Sequence, residues 1–130
     1  MVPVDELRPL AFSVAYRMLG SVAEAEDVVQ EALLRVHEAE GVERPEAFVT
    51  TVTTRLSIDV LRSARARRET YVGEWLPEPL VGDDAPMLVE DEETISMAFL
   101  VLLERLTPEE RAVIVLREAF DYLFAEIAAM

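Results

Sequence analysis

Few residues here could do acid–base or nucleophilic chemistry. The 130-residue chain holds one histidine, His37, and no cysteine. Disulfides, thiolate metal sites, a cysteine nucleophile and a multi-histidine zinc centre are therefore excluded. His37 follows the apolar position Val36 late in a helical stretch and reads as a boundary residue. The 26 acidic residues fall on helix surfaces and in one linker, where carboxylates are solvated rather than perturbed. No glycine-rich phosphate cradle occurs, and no pair of carboxylates stands out for catalysis. Nothing supports an enzyme, a cofactor or a metal.

Two stripes of polar residues suit binding better. Asp27, Gln30, Glu31, Leu34, Arg35 and Glu38 recur at three- and four-residue steps opposite the apolar set Val29, Ala32, Leu33 and Val36. The first stripe fits a solvated helix face with i, i+4 pairs such as Glu31–Arg35, or a protein-binding face. The second carries Arg55, Arg62, Arg65, Arg67 and Arg68, with Asp59 in reach of Arg55 and Arg62 and with Thr50, Thr51, Thr53 and Thr54 nearby. Arginine forks and threonine hydroxyls suit phosphate oxygens, but an ion-paired solvated face has the same pattern. All 12 basic residues are arginine, and the formal net charge is −14. Such acidity normally argues against nucleic acid, yet residues 53–73 hold five arginines against two acids. The basic patch is local.

The elements that must position these stripes read as helices. Leu7, Leu10, Ala11, Val14, Ala15 and Met18 share one helical face, and Gly20 stops it. Ser21 with Glu24 predicts an N-cap and capping box for a second helix running to about Glu40. Pro45 sits at the start of a third helix. Val49 to Thr54 is β-branched and could be a strand, but Val49, Val52, Leu56 and Val60 keep helical spacing. The fold class expected is all-α, with a three-helix unit over residues 1–73. Residues 74–94 read as an acidic, proline-rich linker, in which Trp75, Leu76, Pro77, Glu78 and Pro79 form an apolar island that should dock on something. Periodicity resumes at Ile95. Thr107-Pro108-Glu109-Glu110 combines an N-cap, a first-turn proline and a capping box. A turn at residues 120–122 precedes a short helix from about Phe124.

Taken together, these residues resemble a known family. Residues 25–36, Pro45-Glu46-Ala47-Phe48 and residues 55–63 resemble region two of bacterial sigma factors. Residues 106–113 with Glu126-Ile127-Ala128 resemble the start of region four. Order and spacing are similar to the extracytoplasmic-function group, and the run from Arg68 to Leu80 resembles the mycobacterial J-type subfamily, whose members carry a SnoaL-like domain after region four. The resemblance implies that Asp27, Gln30 and Glu31, with Leu34 and Arg35 beside them, dock on the β′ clamp helices of core RNA polymerase. It implies that the loop Glu40, Gly41, Val42, Glu43 and Arg44 captures a flipped base of the minus-ten promoter element, where a pocket must return the few kcal/mol that extrusion costs. Thr51 and the arginines of the third helix would then meet the non-template strand. About four arginines on phosphates would add a salt exponent of roughly −3 to −4. The acidity fits a subunit that relies on core polymerase for the positive channel.

Three features depart from the family pattern. Arg55 stands where many relatives have asparagine. Leu123 and Phe124 occupy a place where a small capping residue is common. The chain stops at Met130, inside the first helix of the expected helix-turn-helix, so a fragment is expected, 95–130 being a partial region four without its recognition helix. Uncovered apolar surface at Phe120, Ile127 and Met130 should then favour self-association or packing on a partner. The N-terminus lacks a signal-peptide pattern and the longest plain apolar run, Ala98 to Leu103, cannot span a bilayer, so a cytoplasmic protein without membrane contact is expected. Regulation would come from an anti-sigma factor or a fused C-terminal domain. The rival reading is a protein-interaction module that occupies the clamp helices without opening promoters.

Overall fold

A computed structural model describes residues 3–68 and 105–130. The expected linker, its Trp75 island and the helix expected from Ile95 lie outside the described residues, as do the side chains of Arg65, Arg67 and Arg68. The described part is helical: a 3-10 turn Val4–Leu7, then α1 (Arg8–Leu19), α2 (Val22–Glu38), α3 (Pro45–Arg68), α4 (Pro108–Phe120) and α5 (Phe124–Ala128).

Local chemistry sets most of these boundaries. Gly20 ends α1 in the left-handed region at φ 72°, its N–H donating to the Tyr16 carbonyl at 2.8 Å. A side chain there would be strained, which is the usual reason for glycine after a helix. The Ser21 hydroxyl oxygen then accepts from the Glu24 N–H at 3.2 Å. Only this half of the expected capping box forms, and one such cap is worth about 1 kcal/mol. The helix that follows stops at Glu38, two residues short of expectation. Gly41, expected to end it, instead adopts φ 69° within the loop to α3.

The β-branched stretch resolves as helix. Thr50 and Thr51 donate their hydroxyls back to the carbonyls of Glu46 and Ala47, both at 2.9 Å. Bonding to the carbonyl one turn back satisfies these hydroxyls without breaking the helix. Further on, Thr107 and Glu110 form a complete capping box at the start of α4, with bonds of 3.1 and 2.9 Å. Asp121 closes α4 at φ 58°, and the Tyr122 N–H reaches back to the Leu116 carbonyl at 3.1 Å, an acceptor that the Asp121 N–H also meets.

α1, α2 and α3 pack against one another, and α4 lies across α1 and α3. One core joins them: Ala11, Val14, Ala15 and Met18 of α1, Val29 and Ala32 of α2, Val49 of α3, and Ala112 and Val115 of α4. The inner face of α3 also buries Thr50, Thr53, Thr54 and Ser57. Short hydroxyl side chains there replace the larger apolar residues that fill α1 and α2.

The expectation of uncovered apolar surface at Phe120, Ile127 and Met130 needs correction. Phe120 packs against the shared core, and Ile127 and Met130 are partly covered. The exposed apolar side chains at this end are Leu123 and Phe124, at 59% and 62%, because the turn after α4 points them away from the core while α4 itself is held inward.

Candidate functional site

α2 presents its two faces to different surroundings. Ala25, Val28, Val29, Ala32, Leu33 and Val36 are buried. Asp27, Gln30, Glu31, Leu34 and Arg35 are all exposed, as the 3.6-residue period requires. Glu31 and Arg35 form the expected i, i+4 ion pair at 3.5 Å. Asp27 and Gln30 make no hydrogen bond or ion pair among the described residues. Leu34 is half exposed, at 50%, in the middle of this polar stripe. His37 is exposed at the same end of the helix.

The loop 39–44 leads from this stripe to α3. Glu40, Gly41, Glu43 and Arg44 are exposed and Val42 is partly covered. The Arg44 carbonyl accepts the first helical bond of α3, from the Phe48 N–H at 2.9 Å. The loop therefore stands between the two stripes, its backbone tied to the helix that follows.

The arginine face of α3 differs from expectation. Arg55 and Arg62 were expected to pair with Asp59 on their own helix. Arg62 instead pairs with Glu109, in the first turn of α4. Arg55 donates through Nη2 and Nε to the Met130 main-chain oxygen, at 2.8 and 3.3 Å. The physical reason is that α4 packs on α3, bringing acceptors from far along the chain to guanidinium groups whose own helix offers only Asp59 within a turn of them. The threonines also differ from expectation: Thr50, Thr53 and Thr54 are buried, and the Thr51 hydroxyl is committed to the Ala47 carbonyl. Thr50, Thr53 and Thr54 point inward, while Thr51 remains partly exposed with its hydroxyl on the backbone.

Arg111 is the residue that sequence reasoning missed. It is 3% exposed and donates from Nη1 to the Met18 carbonyl, near the end of α1, at 2.8 Å. A cation at a helix C-terminus meets the partial negative charge of its orphan carbonyls, which offsets the cost of burying the guanidinium. The available signal was phase: Arg111 shares the inward face of Pro108, Ala112 and Val115. Beside it, the Arg17 guanidinium carbon lies 5.8 Å from the centre of the Phe120 ring. Among the described residues no cluster of three histidine, cysteine or acidic side chains could hold a metal, and no helix is long and apolar enough to cross a membrane.

The three-helix unit coincides with a family match: residues 4–67 match the sigma-70 region 2 family. The chain belongs to the extracytoplasmic-function sigma factors. It is 48% identical over 129 residues to the ECF RNA polymerase sigma factor SigJ of Mycobacterium tuberculosis, covering 95% of this chain and 41% of that protein. It is 36% identical over 128 residues to the probable ECF RNA polymerase sigma factor SigI of the same species, covering 93% and 44%. The crystal structure of M. tuberculosis SigJ superposes with a TM-score of 0.71 at 43% identity, covering 96% of this chain and 44% of that one. The chain thus spans less than half the length of these relatives.

Proposed function

We propose that this chain forms the part of an extracytoplasmic-function sigma factor that docks on the β′ clamp helices of core RNA polymerase through α2 and handles the minus-ten element through the 40–44 loop and α3. The observation that carries the reading is the outward face of α2, where Asp27, Gln30 and the half-exposed Leu34 stand unengaged beside the Glu31–Arg35 pair. That face is mixed polar and apolar and is backed by a buried helix side, so it is held in place before a partner arrives.

In this reading Glu40, Gly41, Val42, Glu43 and Arg44 form the wall of a base pocket. Arg55 and Arg62, continued by Arg65, Arg67 and Arg68, take backbone phosphates of the displaced strand. Residues 74–94, with Trp75 to Pro79, would run toward the RNA exit path, and 95–130 would begin region four. Polymerase does the chemistry of RNA synthesis in the cytoplasm, and this chain supplies no catalytic group to it. An anti-sigma factor or a fused regulatory domain would act on the same faces.

The test is binding to core polymerase or to an isolated β′ clamp-helix fragment. The variant in which Asp27, Gln30 and Glu31 are all alanine should lose binding while keeping its helicity by circular dichroism. Loss of helicity would make the three residues structural. The engagement of Arg55 and Arg62 within the chain favours a second reading, a module that occupies the clamp helices without opening promoters. Selective binding of a single-stranded minus-ten oligonucleotide by the reconstituted holoenzyme would exclude that alternative.

A further inference from the structure

The inner face of α3 differs in kind from those of its neighbours. α1 buries Ala11, Val14, Ala15, Met18 and Leu19, and α2 buries six apolar residues. The one buried apolar side chain of α3 among the described residues is Val49. The buried positions that follow on that face include Thr53, Thr54 and Ser57, at 0%, 4% and 0% exposure. Ser57 lies three and four residues after the two threonines, so the three share one face. Their hydroxyl oxygens are all buried without a hydrogen-bond partner among the described residues. Thr50, on the same face one turn earlier, donates to the Glu46 carbonyl. The helix backbone can therefore serve such a hydroxyl, and it does not serve these three.

Buried hydroxyls are nearly always bonded, because an unmet one has given up the water bonds it held in the unfolded chain. Three together weaken the seat of the helix where they lie. Little beyond them restores it. None of the described side chains from Ile58 to Ala64 is fully buried, and the Arg62–Glu109 pair is solvated, at 61% and 51% exposure. α3 is thus a helix in two parts. Phe48 and Val49 lock its first turns into the core. Its second half, which carries Arg55 and Arg62, rests on hydroxyls and partly buried side chains. We infer that Thr53, Thr54 and Ser57 are positioning residues: their unmet hydroxyls keep the second half of α3 loosely seated on α1 and α2, so that its arginines can shift to follow a flexible single strand. Elements that move on binding are drawn from the least stable parts of a fold. The inference rests on the reading of α3 as the strand-binding helix.

The test replaces the three hydroxyls in the whole chain by their closest apolar counterparts, as the triple variant Thr53→Val, Thr54→Val, Ser57→Ala. Thr50→Val, whose hydroxyl is bonded, is the control. Valine and threonine have similar helix propensity, so the sign of the effect reports the hydroxyl. The triple variant should raise the urea midpoint, whereas Thr50→Val should leave it level or lower it. In the parent chain the amides of residues 57–64 should exchange faster than those of residues 28–36 in α2, and the triple variant should slow them about tenfold. In holoenzyme reconstituted with core polymerase, the triple variant should bind a labelled single-stranded A/T-rich oligonucleotide about three- to tenfold more weakly, because a shift of the helix then breaks a better seat. A triple-variant midpoint that stays level or falls would overturn the inference, since the hydroxyls are then bonded in solution, to water or to their own backbone. So would parent amides at 57–64 that exchange as slowly as those of α2. A stabilised triple variant that binds the oligonucleotide as tightly as the parent, or better, would overturn it too. The underlying reading fails separately: if Arg55→Ala and Arg62→Ala leave the parent's affinity unchanged, α3 is not a strand-binding helix, and the inference falls with that reading whatever the midpoints show.

Discussion

α2 and α3 are neighbouring helices of one unit, each with a buried face and a charged outer face. Their surroundings separate them. The outer face of α2 meets nothing else among the described residues, and its ion pair, Glu31–Arg35, is local to the helix. On α3 the outer face meets Glu109 and Met130, 47 and 75 residues further along the chain. Asp59, the local partner expected for its arginines, is left aside. The comparison teaches that helical spacing reveals which side chains share a face. Whether that face is free depends on elements arriving from elsewhere.

The contrast can be broken or sharpened by substitution. Met18→Ala should act most strongly and on both faces together. Met18 is fully buried in the core that α1 shares with Ala112 and Val115 of α4, so the loss should be about 2–5 kcal/mol by denaturant unfolding, loosening α4 along with the three-helix unit. Leu34→Ala should separate the two faces. Binding to a clamp-helix fragment should weaken about tenfold, the order expected of an exposed apolar anchor, while the unfolding midpoint and oligonucleotide affinity stay unchanged. Thr107→Ala removes the cap of α4, at a cost of about 1 kcal/mol. Hydrogen exchange should quicken in α4 and leave α2 as it was. Glu31→Ala should cost least, about 0.3–0.5 kcal/mol of stability, because its pair with Arg35 is solvated. A larger loss of stability would show that the α2 stripe holds the fold.

Much of this arrangement was legible in the sequence because it is governed by neighbours in the chain. Gly20, Ser21 and the Thr107–Glu110 box set helix ends through bonds spanning three or four residues. The apolar spacing of α1 and α2 picked out the residues that are buried. The third helix was the closer decision, since six β-branched residues favour a strand. Spacing prevailed because Val49 must face the same core as Val14 and Val29, and the hydroxyls of Thr50 and Thr51 found acceptors one turn back. The stripe on α2 was legible for the same reason as its core face, by subtraction.

What stayed hidden involves residues far apart in sequence. Arg62 had Asp59 within reach of its own helix, and nothing local pointed to Glu109. Arg111 was not singled out by its local sequence, although its phase placed it among Pro108, Ala112 and Val115. The sequence by itself determined the helices, their ends, the buried faces and the exposed polar stripe of α2, because each depends on a periodicity or a bond within one or two turns. Tertiary structure alone decided that α4 packs on α1 and α3, that Arg111 caps the end of α1, and that Arg55 and Arg62 meet Met130 and Glu109. Those contacts depend on which helix packs beside which, and a charge chooses its partner only after packing has brought the candidates within reach.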